Sequence, residues 1–467
     1  MGATADIAAF VVNTDYEDMP PAAVALAKRS ALDMVAAALG GLRLPSSPAF
    51  TRYVRGLRGR PEAWVIGAGF RAAMTEATVV NACIAHAQDY DDCGIKVNHP
   101  TVLVLPVALT LGDKLGASGK DVLAAYILGL EVQGKVALSC DFTLATERKP
   151  NSMAYIGCLG ATTAAAKMLH LTARQTATAL AISANMAGNI RANHGTDMGA
   201  LTAGNACRAG VIAALMARSG VTASQKIIEA DNGFLYYLTG PGGYKLDDLS
   251  QELGNPYYVV SPGMGLKKYP CCYHTHRAID GLLQLMARHH LTYDSVAEVE
   301  VGTTPSALRV LAFDEPTTAD QAKFSMPHVL GCALLDGKVT LDSFTERKVH
   351  DPSVRQAAKK VRIAFPDLPI WPGLPDHDPD TVFVGNPVTV RATDGRTYAA
   401  RVDVPHGEPS DPLTDSELLA KFNGSAEGYL SPQQARQVSD MVRGLEEVPN
   451  IRALMELLAH AGKNSAG

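Results

Sequence analysis

The sequence predicts a mainly α protein, with a larger helical domain and a smaller α+β domain. Apolar residues make up 47% of the 467 positions but aromatics only 6%, so the apolar share is carried largely by Ala, Leu and Val. That balance suits close-packed helices better than an aromatic-rich β-sandwich. The length exceeds what one core usually serves, so two domains are expected. Helical periodicity fills the first part of the chain, and strand-like alternation first appears near residue 296.

The first helix with clear punctuation opens at Pro20-Pro21 and stops at Gly40-Gly41, with Leu26, Ala31, Val35 and Leu39 among its apolar positions. A second is expected from Thr75, read as its N-cap, to His86. Ser118 starts another, through Val122, Tyr126, Leu128, Val132 and Val136. Gly157–Leu169, Thr172–Ala187 and Gly204–Ser219 follow, rich in residues small enough to let helices approach closely.

After one more helix, about Thr275–His289, the segment Val296–Val301 alternates apolar with acidic residues as a half-buried strand does. Val388–Ala392 and Thr397–Val404 flank Thr393-Asp394-Gly395, a hairpin signal. Helical runs are read at Met326–Leu335 and Ser353–Ile363. The tail returns to helix at the capping box Thr414–Glu417, at Ser431-Pro432 and over Asn450–His460, and frays over Gly462–Gly467. Composition leaves open which domain the tail joins.

The formal charge of −5 offers no basic field for nucleic acid or an anionic membrane. The N-terminus lacks a signal-peptide pattern, and the apolar run Val102–Leu111 is too short to span a bilayer. A cytoplasmic location is expected. The eight cysteines are scattered without a CxxC pair, which argues against a zinc or disulfide framework and for buried free thiols.

One segment imitates a cofactor motif: Trp64–Ala72 reads as a strand followed by a glycine-rich turn, with Asp89 at the distance of a ribose-binding acid. A dinucleotide site needs a second parallel strand ending at that acid, and here a helical run precedes it instead. The glycines are read as a turn before that helix.

The densest chemistry lies in His86-Ala87-Gln88-Asp89-Tyr90-Asp91-Asp92-Cys93, continuing through Lys96 to Asn98-His99-Pro100. Three carboxylates within four residues raise one another's pKa unless solvated, paired or used. An exposed acidic loop is the bland reading. Flanking apolar segments and bracketing histidines favour general acid–base work near neutral pH. A second candidate is Lys267-Lys268-Tyr269-Pro270-Cys271-Cys272-Tyr273-His274-Thr275-His276, equally readable as a basic linker. A third is the polar stretch Asn185–Asn205, containing Arg191 and His194, equally readable as a helix–helix loop.

In order and spacing these segments, with Gly160–Leu169, Asn193–Met198 and Phe324–Pro327, resemble the MmgE/PrpD family over residues 6 to about 405. Its members include 2-methylcitrate dehydratase, cis-aconitate decarboxylase and iminodisuccinate epimerase. The resemblance implies a large all-helical domain (1–265 with 406–461) and a smaller α+β lid domain (266–405), the C-terminal helices rejoining the first. It also implies a homodimer and a site in the cleft between domains, working on a small carboxylate without metal, nucleotide or other cofactor. The implied chemistry is proton transfer at a carbon next to a carboxylate, followed by elimination, decarboxylation or reprotonation.

The family's acidic residue falls on Asp89, the following histidine on His99, and the histidine of the lysine-tyrosine-proline motif on His276. The resemblance makes these three the catalytic candidates, with Asp89 orienting His99 and His276 acting as the opposing acid or base. Four positions depart from the pattern. Cys93 stands for a threonine, Ala154 for a histidine, Gly199 for a lysine and His328 for a tyrosine. Loss of that histidine and lysine argues against the standard tricarboxylate substrates. Cys93, Lys96, Arg191, His194, Lys267 and His328 are the candidate substrate-binding residues. Three readings follow: a lyase, a two-base epimerase with His99 and His276 as the pair, and a degenerate non-catalytic relative.

Overall fold

The structure, a computed structural model, describes residues 2–142, 152–305, 307–366 and 385–462, without the side chains of Arg191 and Asp248. The fraying expected beyond Gly462 lies outside the described residues. The chain is mainly α and forms two compact units, one of Met1–Ala192, Met198–Met264 and Thr414–Gly467, the other of Asn193–Asp197 and Gly265–Leu413.

The first unit is helical. Pro21 opens the helix Pro21–Gly41 at its first turn, where a missing N–H costs nothing. Leu26, expected on its apolar side, is instead exposed. The helix Met74–His86, which follows Ser46–Gly56, begins one residue before the expected cap. Its N-cap is Ala73, which has no side-chain acceptor, and Glu62 Oε2 takes the Met74 N–H at 3.1 Å in place of one. Every residue from Ala77 to His86 is buried, so this is a helix apolar all round. Ser118 with Asp121 and Thr172 with Gln175 form capping boxes at the starts of Gly119–Leu138 and Ala173–Ala184.

The helix Met198–Arg218 begins six residues before the expected Gly204 and packs on Met74–His86, Gly157–Met168 and Ala173–Ala184. It is long and apolar enough to cross a membrane, but 67% of its most apolar window is buried within the protein, as in a core helix. Gly210 explains the close approach: a Cβ there would lie 2.5 Å from the Ala161 backbone.

The glycine-rich segment is a short hairpin. Ala63–Trp64 pairs antiparallel with Arg71–Ala72, and Gly67 and Gly69 take the left-handed conformations of the turn. Their N–H groups donate to the carbonyls of Leu458 and Ala459, tying the hairpin to the chain's last helix, Arg452–Ala459. The C-terminal helices Asp415–Ala426 and Pro432–Arg443 pack on Pro21–Gly41.

The second unit carries a four-stranded sheet in the order Val361–Ala364, Val296–Gly302, Asn386–Ala392, Thr397–Val402. The first pairing is parallel and the other two antiparallel. Val296, Val299, Val301, Val388 and Val390 are buried and pack with the helices His276–His289 and Met326–Asp336 in one apolar core. The expected helix Ser353–Ile363 is corrected here. The helix is Pro352–Ala358, and Val361–Ala364 is a strand beside Val296–Gly302. Two β-branched residues alternating within four positions stabilise that edge once a partner strand exists, and they continued the helical pattern too smoothly to be read alone.

Candidate active site

The acidic segment begins where Met74–His86 ends. Asp92 folds the loop back on itself: its carboxylate accepts the Thr101 N–H at 3.1 Å and the Thr101 hydroxyl at 2.5 Å. Thr101 Oγ1 in turn lies 2.5 Å from the Tyr126 hydroxyl in the helix Gly119–Leu138. This staple returns the chain after ten residues and sets His99 beside Asp89 and Asp91.

Asp91 is wholly buried and serves two imidazoles. Its Oδ1 lies 2.9 Å from His86 Nδ1, and its Oδ2 lies 3.1 Å from His99 Nδ1. The other ring nitrogen of His99, Nε2, is 3.4 Å from Asp89 Oδ1. The His86 and His99 rings meet edge to face with centroids 4.4 Å apart. Both nitrogens of His99 therefore lie within ion-pair distance of carboxylate oxygens.

The electrostatics of adjacent carboxyls diverge. Burial disfavours ionisation of Asp91, but the charges of His99 and then His86 outweigh it and hold the carboxyl well below its usual range. Burial pushes Asp92 well above that range against its Thr101 hydrogen bonds, with repulsion from Asp33 and Asp91 adding to the rise. Adjacent carboxyls are thus pushed in opposite directions, Asp91 by its imidazole partners and Asp92 by burial, while Asp92 accepts both Thr101 hydrogen bonds.

The loop is strained. Asp89, Lys96 and His99 have φ of +52°, +60° and +59°, in the left-handed region that costs a non-glycine residue about 1–3 kcal/mol in general. One donor atom from each of His86, Asp89, Asp91 and His99 also lies within 4.8 Å of the others, close enough to share a cation. As they stand, these groups pair with one another.

The other candidates sit as follows. Cys93 is half-buried in a two-residue strand, Cys93–Gly94. Lys96 donates to the Cys140 carbonyl at 2.6 Å, beyond the end of Gly119–Leu138. Arg191 lies in a short 3-10 turn, and its side chain is outside the described residues. Ala154 is buried, whereas a Cβ on Gly199 would meet nothing within 4 Å.

The second unit holds the rest. His276, fully buried, begins its helix with Nε2 3.3 Å from the Cys271 carbonyl. The rings of Tyr269 and Tyr273 flank it at 5.1 and 4.9 Å. Each tyrosine is fixed by its hydroxyl, Tyr269 donating to Asp280 at 2.6 Å and Tyr273 to Glu408 at 2.5 Å. Burial raises the Glu408 carboxyl above its ordinary range despite that hydrogen bond. Lys267 is buried nearby in sequence. His194 pairs its Nε2 with the Val310 carbonyl at 2.9 Å and sets its ring edge-on to Phe324. His328 is buried, 2.8 Å from the Ser343 carbonyl, and burial lowers its pKa.

Residues 5–247 match the MmgE/PrpD N-terminal domain and residues 269–447 the MmgE/PrpD C-terminal domain. The chain belongs to the MmgE/PrpD family. It is similar to cis-aconitate decarboxylase of Mus musculus, 28% identical over 411 residues, covering 86% of this chain and 80% of the relative. The cis-aconitate decarboxylase of Aspergillus terreus is 24% identical and covers 98% of this chain and 96% of its own. The 2-methylcitrate dehydratase of Salmonella typhi is 23% identical, covering 71% and 69%. This MmgE/PrpD chain is thus an enzyme of that family.

The segment His86–His99 stood out in sequence through its density of acids between histidines. The sharing of Asp91 by His86 and His99 did not, because nothing in linear spacing says which of three carboxylates meets both imidazoles. Glu408, which fixes Tyr273 beside His276, carried no signal of its own.

Proposed function

We propose that this chain is a cofactor-independent lyase, removing a proton α to a carboxylate or carbonyl and expelling a β-substituent from a small carboxylic acid. The relatives named for decarboxylation and dehydration support lyase chemistry on acids of this kind. The observation that carries the site assignment is His99, held by carboxylates at both ring nitrogens in a loop strained at Asp89 and His99.

In this reading Asp89 and His99 form the proton-transfer couple, and His276 supplies the opposing acid or base. The base takes the α-proton, the C–H electrons become the new double bond, and the β-substituent departs with its bonding pair, protonated by the conjugate acid. Cys93, Lys96, Arg191, His194, Lys267 and His328 remain candidates for substrate contact. With Ala154 and Gly199 where the family resemblance expects a histidine and a lysine, the substrate is an acid other than the standard tricarboxylates. A cytoplasmic homodimer belongs to the same proposal.

A two-base epimerase is the competing reading, favoured by the two histidine centres, His99 and His276. Proton NMR in D₂O on a panel of hydroxy and amino dicarboxylates separates them. A new vinyl signal is expected; loss of the α-proton signal without one would establish epimerisation instead.

A further inference from the structure

Beneath the acidic turn lies a buried ion pair that the chemistry above does not use. Lys421, on the helix Asp415–Ala426, is 8% exposed and Asp33, on Pro21–Gly41, is fully buried. The Lys421 ammonium donates to Asp33 Oδ1 at 2.6 Å and, at 2.6 Å, to the main-chain carbonyl of Tyr90. It also sits 3.8 Å from the centre of the Tyr90 ring. Tyr90 is the residue between Asp89 and Asp91, so the ammonium grips the turn at the point where one carboxylate faces His99 Nε2 and the next faces His99 Nδ1.

We propose that Lys421 is a positioning residue for the active-site turn, holding the Tyr90 carbonyl so that Asp89 and Asp91 reach opposite nitrogens of His99. The assignment of His99 as the proton-transfer group rests on the function proposed above; the positioning of the turn does not. Two features make the lysine more than a core ion pair. The carbonyl belongs to Tyr90, the residue after Asp89, whose backbone is left-handed at φ +52° and needs outside support. A cation–π contact to the same residue fixes the ring as well as the main chain. The helix Asp415–Ala426, which follows the second unit in sequence but belongs to the first, thereby reaches the acidic loop.

The single variant Lys421→Met would leave Asp33 as an uncompensated buried charge, and misfolding would obscure the result. The double variant Asp33→Asn/Lys421→Met removes both charges with little change in volume. Its crystal structure and its steady-state kinetics on whichever acid the wild type turns over form the test. The expected structure is a folded protein in which Asp89 leaves the left-handed region and Asp91 and Asp89 no longer both face His99. The expected kinetics are a fall in kcat of at least tenfold with KM within threefold, and a changed pH–rate profile. A turn superposing on the native one, with kcat and pH profile intact and only the melting temperature lowered, overturns the proposal. Should the wild type turn over no acid, the function proposed above fails while the crystal structure still decides the role of Lys421.

Discussion

In the helical unit the imidazoles of His86 and His99 are held by carboxylates, whereas in the smaller unit His276 lies between two tyrosine rings and beside a main-chain carbonyl. The first arrangement stabilises positive charge: Asp91 stays ionised despite complete burial because two imidazoles face it. In the second, two tyrosine rings and a main-chain carbonyl lie against His276, and the carboxylates Asp280 and Glu408 accept from the tyrosine hydroxyls. The two histidine centres thus differ in what packs around them, carboxylates in one and tyrosine rings in the other.

The largest expected effect falls on turnover. His99→Ala and Asp89→Asn should each lower kcat by roughly 10²- to 10⁴-fold with the melting temperature nearly kept, and His276→Gln should do the same. Full activity in His276→Gln alongside loss in His99→Ala would break the comparison, leaving one centre rather than two.

Asp91→Asn should cost about 3–5 kcal/mol of stability at neutral pH, because two imidazoles lose a buried partner. The pH dependence has a definite sign. A carboxyl held down in the folded state contributes stability that is fully present above its unfolded pKa, about 3.9, and is lost as pH falls through the folded value. Acid titration of stability should therefore fall more steeply below about pH 4 in the wild type than in Asp91→Asn, as followed by circular dichroism.

His328 sharpens the comparison within the second unit. Its imidazole faces the Ser343 carbonyl in the core, and burial favours its neutral form. His328→Leu should cost about 1–3 kcal/mol through the unsatisfied carbonyl, with KM unchanged. A raised KM at constant stability would instead make His328 a substrate contact.

The smallest effect concerns Gly199. A side chain there meets open space, so Gly199→Lys should change stability by no more than about 1 kcal/mol. Activity toward acids bearing one more carboxylate should rise, measured as kcat/KM across a substrate series.

Helices with side-chain caps were legible in the sequence because Ser118, Thr172, Thr414 and Ser431 mark their own starts. The start of Met74–His86 was not, because its cap is Glu62, twelve residues away. The hairpin Asn386–Ala392 to Thr397–Val402 followed from a local turn, whereas Val361–Ala364 needed a partner sixty residues earlier to become a strand. The site shows the same division. Local density of acids and histidines exposed the segment, and the family resemblance marked Asp89 and His99. The grip of Lys421 on Tyr90 joins positions 331 residues apart and leaves no pattern in the chain.

In the proposed reaction Asp89 and His99 move a proton at a carbon next to a carboxylate. Incubating the wild type and Asp89→Asn in D₂O with a turned-over acid, and following the α-proton by NMR, tests it most directly. Loss of the α-proton signal in the wild type, slowed at least a hundredfold in a folded Asp89→Asn, is the predicted result. Equal rates in the two proteins would contradict the account.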